Sequence, residues 1–129
     1  MERPQVPRPT DAELAILRVL WRRGPSTVRE VWELLSNERS TGYTTTLKLM
    51  QIMTDKGLLV RDERRQSHVY QPRHPEQQTQ KALVKDLLDR AFGGSAPKLI
   101  LGALSAKKVT PAELAEIRKL LDQLDGGHP

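Results

Sequence analysis

Apolar positions recur at helical spacing along most of the 129 residues, and each break in the recurrence coincides with a start or stop signal. In "TDAELAILRVLWRRG", Leu14, Leu17, Leu20 and Trp21 share one face, Thr10 and Glu13 form a capping box, and Gly24 supplies the stop. "PSTVREVWELLSNE" predicts a second helix opened by Ser26 or Thr27, with Val28, Val31, Trp32 and Leu35 inward. After the polar "SNERSTG", a third helix runs to Lys56 and ends at Gly57, a residue suited to a left-handed C-terminal cap. The period then shortens. "LLVRDERRQSHVYQP" holds an apolar triplet, a charged tip near Asp62 to Gln66 and a second apolar run bounded by Pro72, the pattern of a two-stranded basic hairpin.

Helical spacing resumes in "QTQKALVKDLLDRAFGG", where Leu83, Val84, Leu87, Leu88, Ala91 and Phe92 form a broad stripe ended by Gly93 and Gly94. "APKLILGAL" follows, and "TPAELAEIRKLLDQLDGG" repeats the opening signals: Thr110 as N-cap, Pro111 at the first helical position and Glu113 completing a capping box. These three segments are too few to close a core by themselves. A partner surface, most simply a second copy of the chain, is expected to cover Leu83, Leu87, Leu88, Phe92, Leu99, Ile100, Leu104, Leu114, Ile117 and Leu121. The fold class predicted is mainly α with a small β-hairpin: an N-terminal winged helix-turn-helix plus a C-terminal helical dimerisation region. Residues 1–9, with three prolines and two arginines, read as a flexible arm; 10–75 form the winged helix domain and 76–129 the dimerisation domain.

The third helix has an unusual polar face. On a wheel at 100° per residue, Tyr43, Thr46, Leu47, Met50, Met53 and Thr54 occupy one sector; Thr44, Thr45, Lys48 and Ile52 occupy another, with Gln51 at its margin. A helix needing only stability would fill an exposed face with Glu, Lys, Ala or Gln. Short hydroxyl side chains instead permit close approach to a major groove, where Thr offers a hydroxyl to phosphate or a base edge and a methyl to thymine, and Lys48 reaches guanine or phosphate. A solvated helix start is the plainer account of the threonines. Two short helices before them and a basic hairpin after them favour groove reading, because docking this helix in the major groove is what such a motif does.

Charge agrees with that reading. The net +5 is carried mostly by the first part, which has 13 basic and 9 acidic residues through residue 75. Arg64 and Arg65 at the hairpin tip are candidates for backbone or minor-groove contact. The absence of cysteine excludes disulfides and thiolate metal sites and fits a reducing cytoplasm, and no apolar run suggests membrane insertion. His68 and His74 lie six residues apart without a carboxylate cluster, and His128 is in the tail, so no metal site or cofactor is expected. No phosphate-binding glycine loop or nucleophile elbow occurs, and the chain does not read as an enzyme.

"AELAILRVLW", "TVREVWELL", "GYTTTLKLMQIMTDKGLL" and "HVYQP", in this order, resemble the penicillinase-repressor (BlaI/MecI/CopY) family of bacterial transcriptional repressors, over nearly all of residues 10 to 125. The resemblance implies a cytoplasmic homodimer whose winged helix domains occupy half-sites of an inverted-repeat DNA operator with TACA and TGTA arms. It places Tyr43, Thr44, Thr45, Lys48 and Gln51 on the recognition helix and Arg64 and Arg65 on the wing. It also implies relief of repression by a membrane metalloprotease sensor pathway that cleaves an Asn-Phe bond. The corresponding stretch here is "LILGAL", with Gly102-Ala103, and Ile52 stands where members often carry Arg. The lack of cysteine departs from the copper-responsive branch. A winged helix protein-interaction module without sequence-specific DNA binding is the alternative reading, and a nonspecific nucleic-acid binder a third.

Overall fold

The structure, a computed structural model, describes residues 6–37 and 40–126. The expected arm therefore lies partly outside the described residues: of its nine positions only 6–9 are seen, without regular secondary structure. The element order is α1 (Asp11–Arg23), α2 (Val28–Ser36), α3 (Tyr43–Lys56), β1 (Leu59–Asp62), β2 (Val69–Pro72), α4 (Glu76–Ala91), α5 (Ala96–Ala106) and α6 (Pro111–Gly126). Two compact units divide the chain, Met1–Lys85 and Asp86–Pro129, so α4 contributes to both.

Local signals set the helix ends of the first unit. Thr10 and Glu13 close a capping box on α1, and Thr27 and Glu30 close one on α2. Of the two residues that could open α2, Thr27 does so; Ser26 is instead drawn into an extended bridge with Tyr70, exchanging backbone bonds of 3.0 and 2.8 Å. Gly57 ends α3 at φ 86, where its N–H reaches the Met53 and Thr54 carbonyls. A side chain there would meet the left-handed steric penalty. The antiparallel hairpin follows at once, with Leu59 opposite Pro72 and Arg61 opposite Tyr70.

The three helices and the hairpin enclose one core: Ile16, Leu17 and Leu20 from α1, Val28, Val31 and Leu35 from α2, Met50 and Met53 from α3, then Leu58, Leu59 and Tyr70. Each such side chain contributes about 1.5–3 kcal/mol by leaving water. Two positions of α1 depart from the sequence expectation. The buried stripe of α1 is Glu13, Ile16, Leu17 and Leu20, while Leu14 and Trp21 are only half-buried. The buried Glu13 carboxylate accepts from Lys56, so the stripe includes a paired charge in place of an apolar residue. Both tryptophans sit at the core margin for a related reason: a buried indole N–H needs an acceptor. Trp21 donates to the His74 carbonyl at 3.1 Å and Trp32 to that of Thr41 at 2.9 Å.

In the second unit, Ser95 caps α5 and Thr110 forms the expected box with Glu113 on α6. Neither helix buries a residue. No helix among the described residues is long and apolar enough to cross a membrane.

Candidate nucleic-acid interface

The α3 face predicted to be open is open. Thr44, Thr45, Lys48, Gln51 and Ile52 are all exposed, whereas Thr46, Met50 and Met53 are buried. The four threonines of this helix divide in function. Thr46 and Thr54 turn their hydroxyls onto the Gly42 and Met50 carbonyls four residues back, at 3.1 and 2.8 Å. The Thr44 and Thr45 hydroxyls make no such bond, and they do not cap the helix either: the N-cap is Gly42, with no side-chain cap bond. Capping therefore does not explain these two β-branched residues. In contrast to α1 and α2, α3 has no side-chain cap bond on its first turn among the described residues, and that turn lies beside an exposed Lys48.

Tyr43, which the wheel places inward, keeps 43% of its surface exposed. It stands at the first helical position, beyond the core, with its ring edge-on to Trp32 at 5.8 Å and 85°. That contact holds the aromatic ring at the end of the exposed face.

At the other end, the Lys56 ammonium donates to both Glu13 carboxylate oxygens, at 2.8 and 3.0 Å. Glu13 is 2% exposed and also accepts from the Thr10 N–H at 2.9 Å. Burial opposes its charge, but the bonds from Lys56 and Thr10 outweigh it and keep the carboxyl below its ordinary value. The pair ties the C-terminal end of α3 to the start of α1.

The wing cations are not equivalent. Arg64 grips Asp62 through Nε and Nη2 at 3.0 and 2.8 Å, and its own backbone N–H adds a third bond. These bonds from Arg64 hold the Asp62 carboxyl well below the usual range. Arg61 pairs with Glu63 at 2.9 Å. Arg65 is exposed and belongs to neither pair. The wing is anchored from below as well: Arg23 bonds Ser26 Oγ and pairs with Glu30, next to the Ser26–Tyr70 bridge.

Sequence reading missed the Glu13–Lys56 pair, the third strand-like contribution of Ser26, and Arg29. Arg29 is exposed on the first turn of α2 and borders, with Tyr43, a groove against the wing tip. Its place early on the helix that precedes α3 was the available signal. The apolar residues assigned to assembly remain incompletely covered: Leu83, Leu88, Phe92, Leu99, Leu104, Leu114 and Ile117 are half-buried, and Leu87, Ile100 and Leu121 are exposed. Among the described residues no cluster of three or more His, Cys, Asp or Glu could hold a metal ion; His128 lies outside them.

The sequence profile of the penicillinase repressor family matches residues 9–123. A transcriptional regulator BlaI of Mycobacterium tuberculosis is 33% identical over 121 residues, covering 92% of this chain and 86% of that protein. A penicillinase repressor of Bacillus licheniformis is 23% identical over 119 residues, covering 92% and 93%. Two solution structures align with 57% of this chain and 90% of theirs, at 26% identity and a TM-score of 0.51. One is the DNA-binding domain of the repressor BlaI, the other the monomeric form of Bacillus licheniformis BlaI in complex with the blaP half-operator.

Proposed function

The chain belongs to the penicillinase repressor family, and from that premise we propose that it is a sequence-specific DNA-binding transcriptional repressor that lays α3 in the major groove. The observation that carries this is the open face of α3: among the described residues, two threonine hydroxyls without internal partners, a lysine outside any ion pair and a first turn without a side-chain cap, on a domain similar to one solved with a half-operator. Thr44, Thr45 and Gln51 read base edges, and Lys48 and Arg65 neutralise phosphates. The protein is a regulator, not an enzyme.

A homodimer completes the reading. Its two α3 helices meet an inverted repeat with half-sites about 34–36 Å apart, one helical turn, and the apolar stripes of α4, α5 and α6 form the contact between copies. Occupancy of the operator excludes polymerase. Release through a sensor protease remains part of the proposal, with a cut at a site other than an Asn-Phe pair, since Gly102-Ala103 occupies that place.

Selection of the purified protein against a random duplex library, at near-physiological salt, tests the function. Enrichment of an inverted repeat is expected, and Lys48→Ala should weaken binding to it and lower the salt slope by about one. Absence of any enriched sequence would instead favour a protein-interaction module.

A further inference from the structure

The wing has two sides, and they differ in charge. On one side a cleft of about 570 Å³ is bordered by Arg64 and Arg65, but also by Glu30 and Asp62. On the other, a groove of about 400 Å³ runs between the wing tip and the first turns of α2 and α3, bordered by Arg29, Tyr43, Leu47, Gln66, Ser67 and His68. No carboxylate borders this second groove. It opens at Tyr43, the residue from which the reading face of α3 begins.

Arg29 also differs from the wing arginines in what it holds. The Arg64 guanidinium already has a two-pronged carboxylate partner and Arg61 has Glu63, whereas Arg29 belongs to no ion pair among the described residues. An arginine occupied by a carboxylate must share or surrender that bond to bind phosphate. A free, hydrated guanidinium exchanges only water and counterions, and its fork fits phosphate oxygens.

We propose that the groove between the wing tip and α2 holds a backbone phosphate of the bound duplex, with Arg29 as its cation and the Tyr43 and Ser67 hydroxyls, the Gln66 amide and the His68 ring as further donors. The inference rests on the DNA-binding reading above and deepens it: the strand leaving the major groove is clamped in the groove that no carboxylate borders, and Arg29 contributes more than Arg64 to affinity. Because phosphate carries no sequence information, Arg29 strengthens binding without choosing the operator.

The test is a salt titration of full-length protein on the library-enriched duplex and on a random-sequence duplex of equal length, for Arg29→Ala, Arg29→Lys, Arg64→Ala, Lys48→Ala and Arg18→Ala. Arg18 is an exposed cation that does not border the groove, so its variant controls for the loss of one charge. Arg29→Ala is expected to lower the salt slope by about one, so that affinity falls roughly threefold less between about 50 and 200 mM salt than in the wild type. It should weaken both duplexes by the same factor, Arg29→Lys should restore the slope, and Arg64→Ala and Arg18→Ala should change it less. An Arg29→Ala slope equal to that of Arg18→Ala, with Lys48→Ala still impaired, overturns the groove assignment alone. If the wild type does not distinguish the duplexes and Lys48→Ala is also silent, the DNA-binding reading falls and the clamp with it.

Discussion

In the first unit the stripes of α1, α2 and α3 face one another and the hairpin closes the remaining side, leaving Ile16, Val31, Met50, Met53 and Leu59 with no exposure at all. In the second, α5 and α6 carry stripes of the same kind, yet Leu101 and Leu124 remain 66% and 73% exposed. An apolar helical stripe is a demand for a partner, not evidence that one is present in the same chain. The winged helix domain meets the demand internally and can hold a reading face rigid; the C-terminal helices do not, which is the ground for the assembly proposed above.

The sharpest way to break this contrast is to truncate equivalent leucines. Leu17→Ala should cost about 2–5 kcal/mol in urea denaturation, whereas Leu124→Ala should cost under about 1 kcal/mol at concentrations where the protein is monomeric. Equal costs would mean that the second unit has a core of its own. Next, Leu121→Asp is expected to halve the mass seen in sedimentation while leaving the circular dichroism of the winged helix domain in place. Persistence of a dimer would remove this face of α6 from the interface.

A smaller effect is expected at the tie between α1 and α3. Glu13→Gln should destabilise by about 1–2 kcal/mol, less than a fully buried pair would lose because the Lys56 side chain is 37% exposed. The sign of its pH dependence follows from the lowered Glu13 pKa. A depressed carboxyl contributes stability that is fully present above its ordinary value of 4.5 and is lost as pH falls through the folded value. Acid denaturation of the wild type should therefore steepen below about pH 4.5, and Glu13→Gln should flatten that limb. An unchanged acid limb would mean that the pair does not act on folding.

The smallest expected change is a gain. Gly102 lies inside α5, and a Cβ there would meet the Phe92 ring at 3.4 Å, an ordinary contact. Gly102→Ala should raise the denaturation midpoint by an amount worth up to about 1 kcal/mol. A lower midpoint would show that the ring cannot accommodate the methyl.

Some residues disclosed their places in advance and others could not. Thr10 with Glu13, Thr110 with Glu113, and Gly57 were readable because a cap is completed within four residues. The exposed face of α3 was readable because one helix has one period. Glu13 misled in part: its capping role was visible, but its burial depends on Lys56, 43 residues away. Taken alone, Thr44 and Thr45 suited a helix start as well as a reading face; the flanking helices and hairpin favoured the second, and the placement of Gly42 as N-cap removes capping as their role.

Helices, stops, hairpin and the surplus of positive charge thus follow from residue order, because periodicity, capping and turn chemistry act over a few neighbouring positions. Which cations stay out of ion pairs among the described residues, which groove beside the wing no carboxylate borders, and which apolar stripes find cover were decided only by the tertiary structure. Each depends on groups that the chain brings together from distant positions, and a carboxylate within bonding distance changes what an arginine can bind.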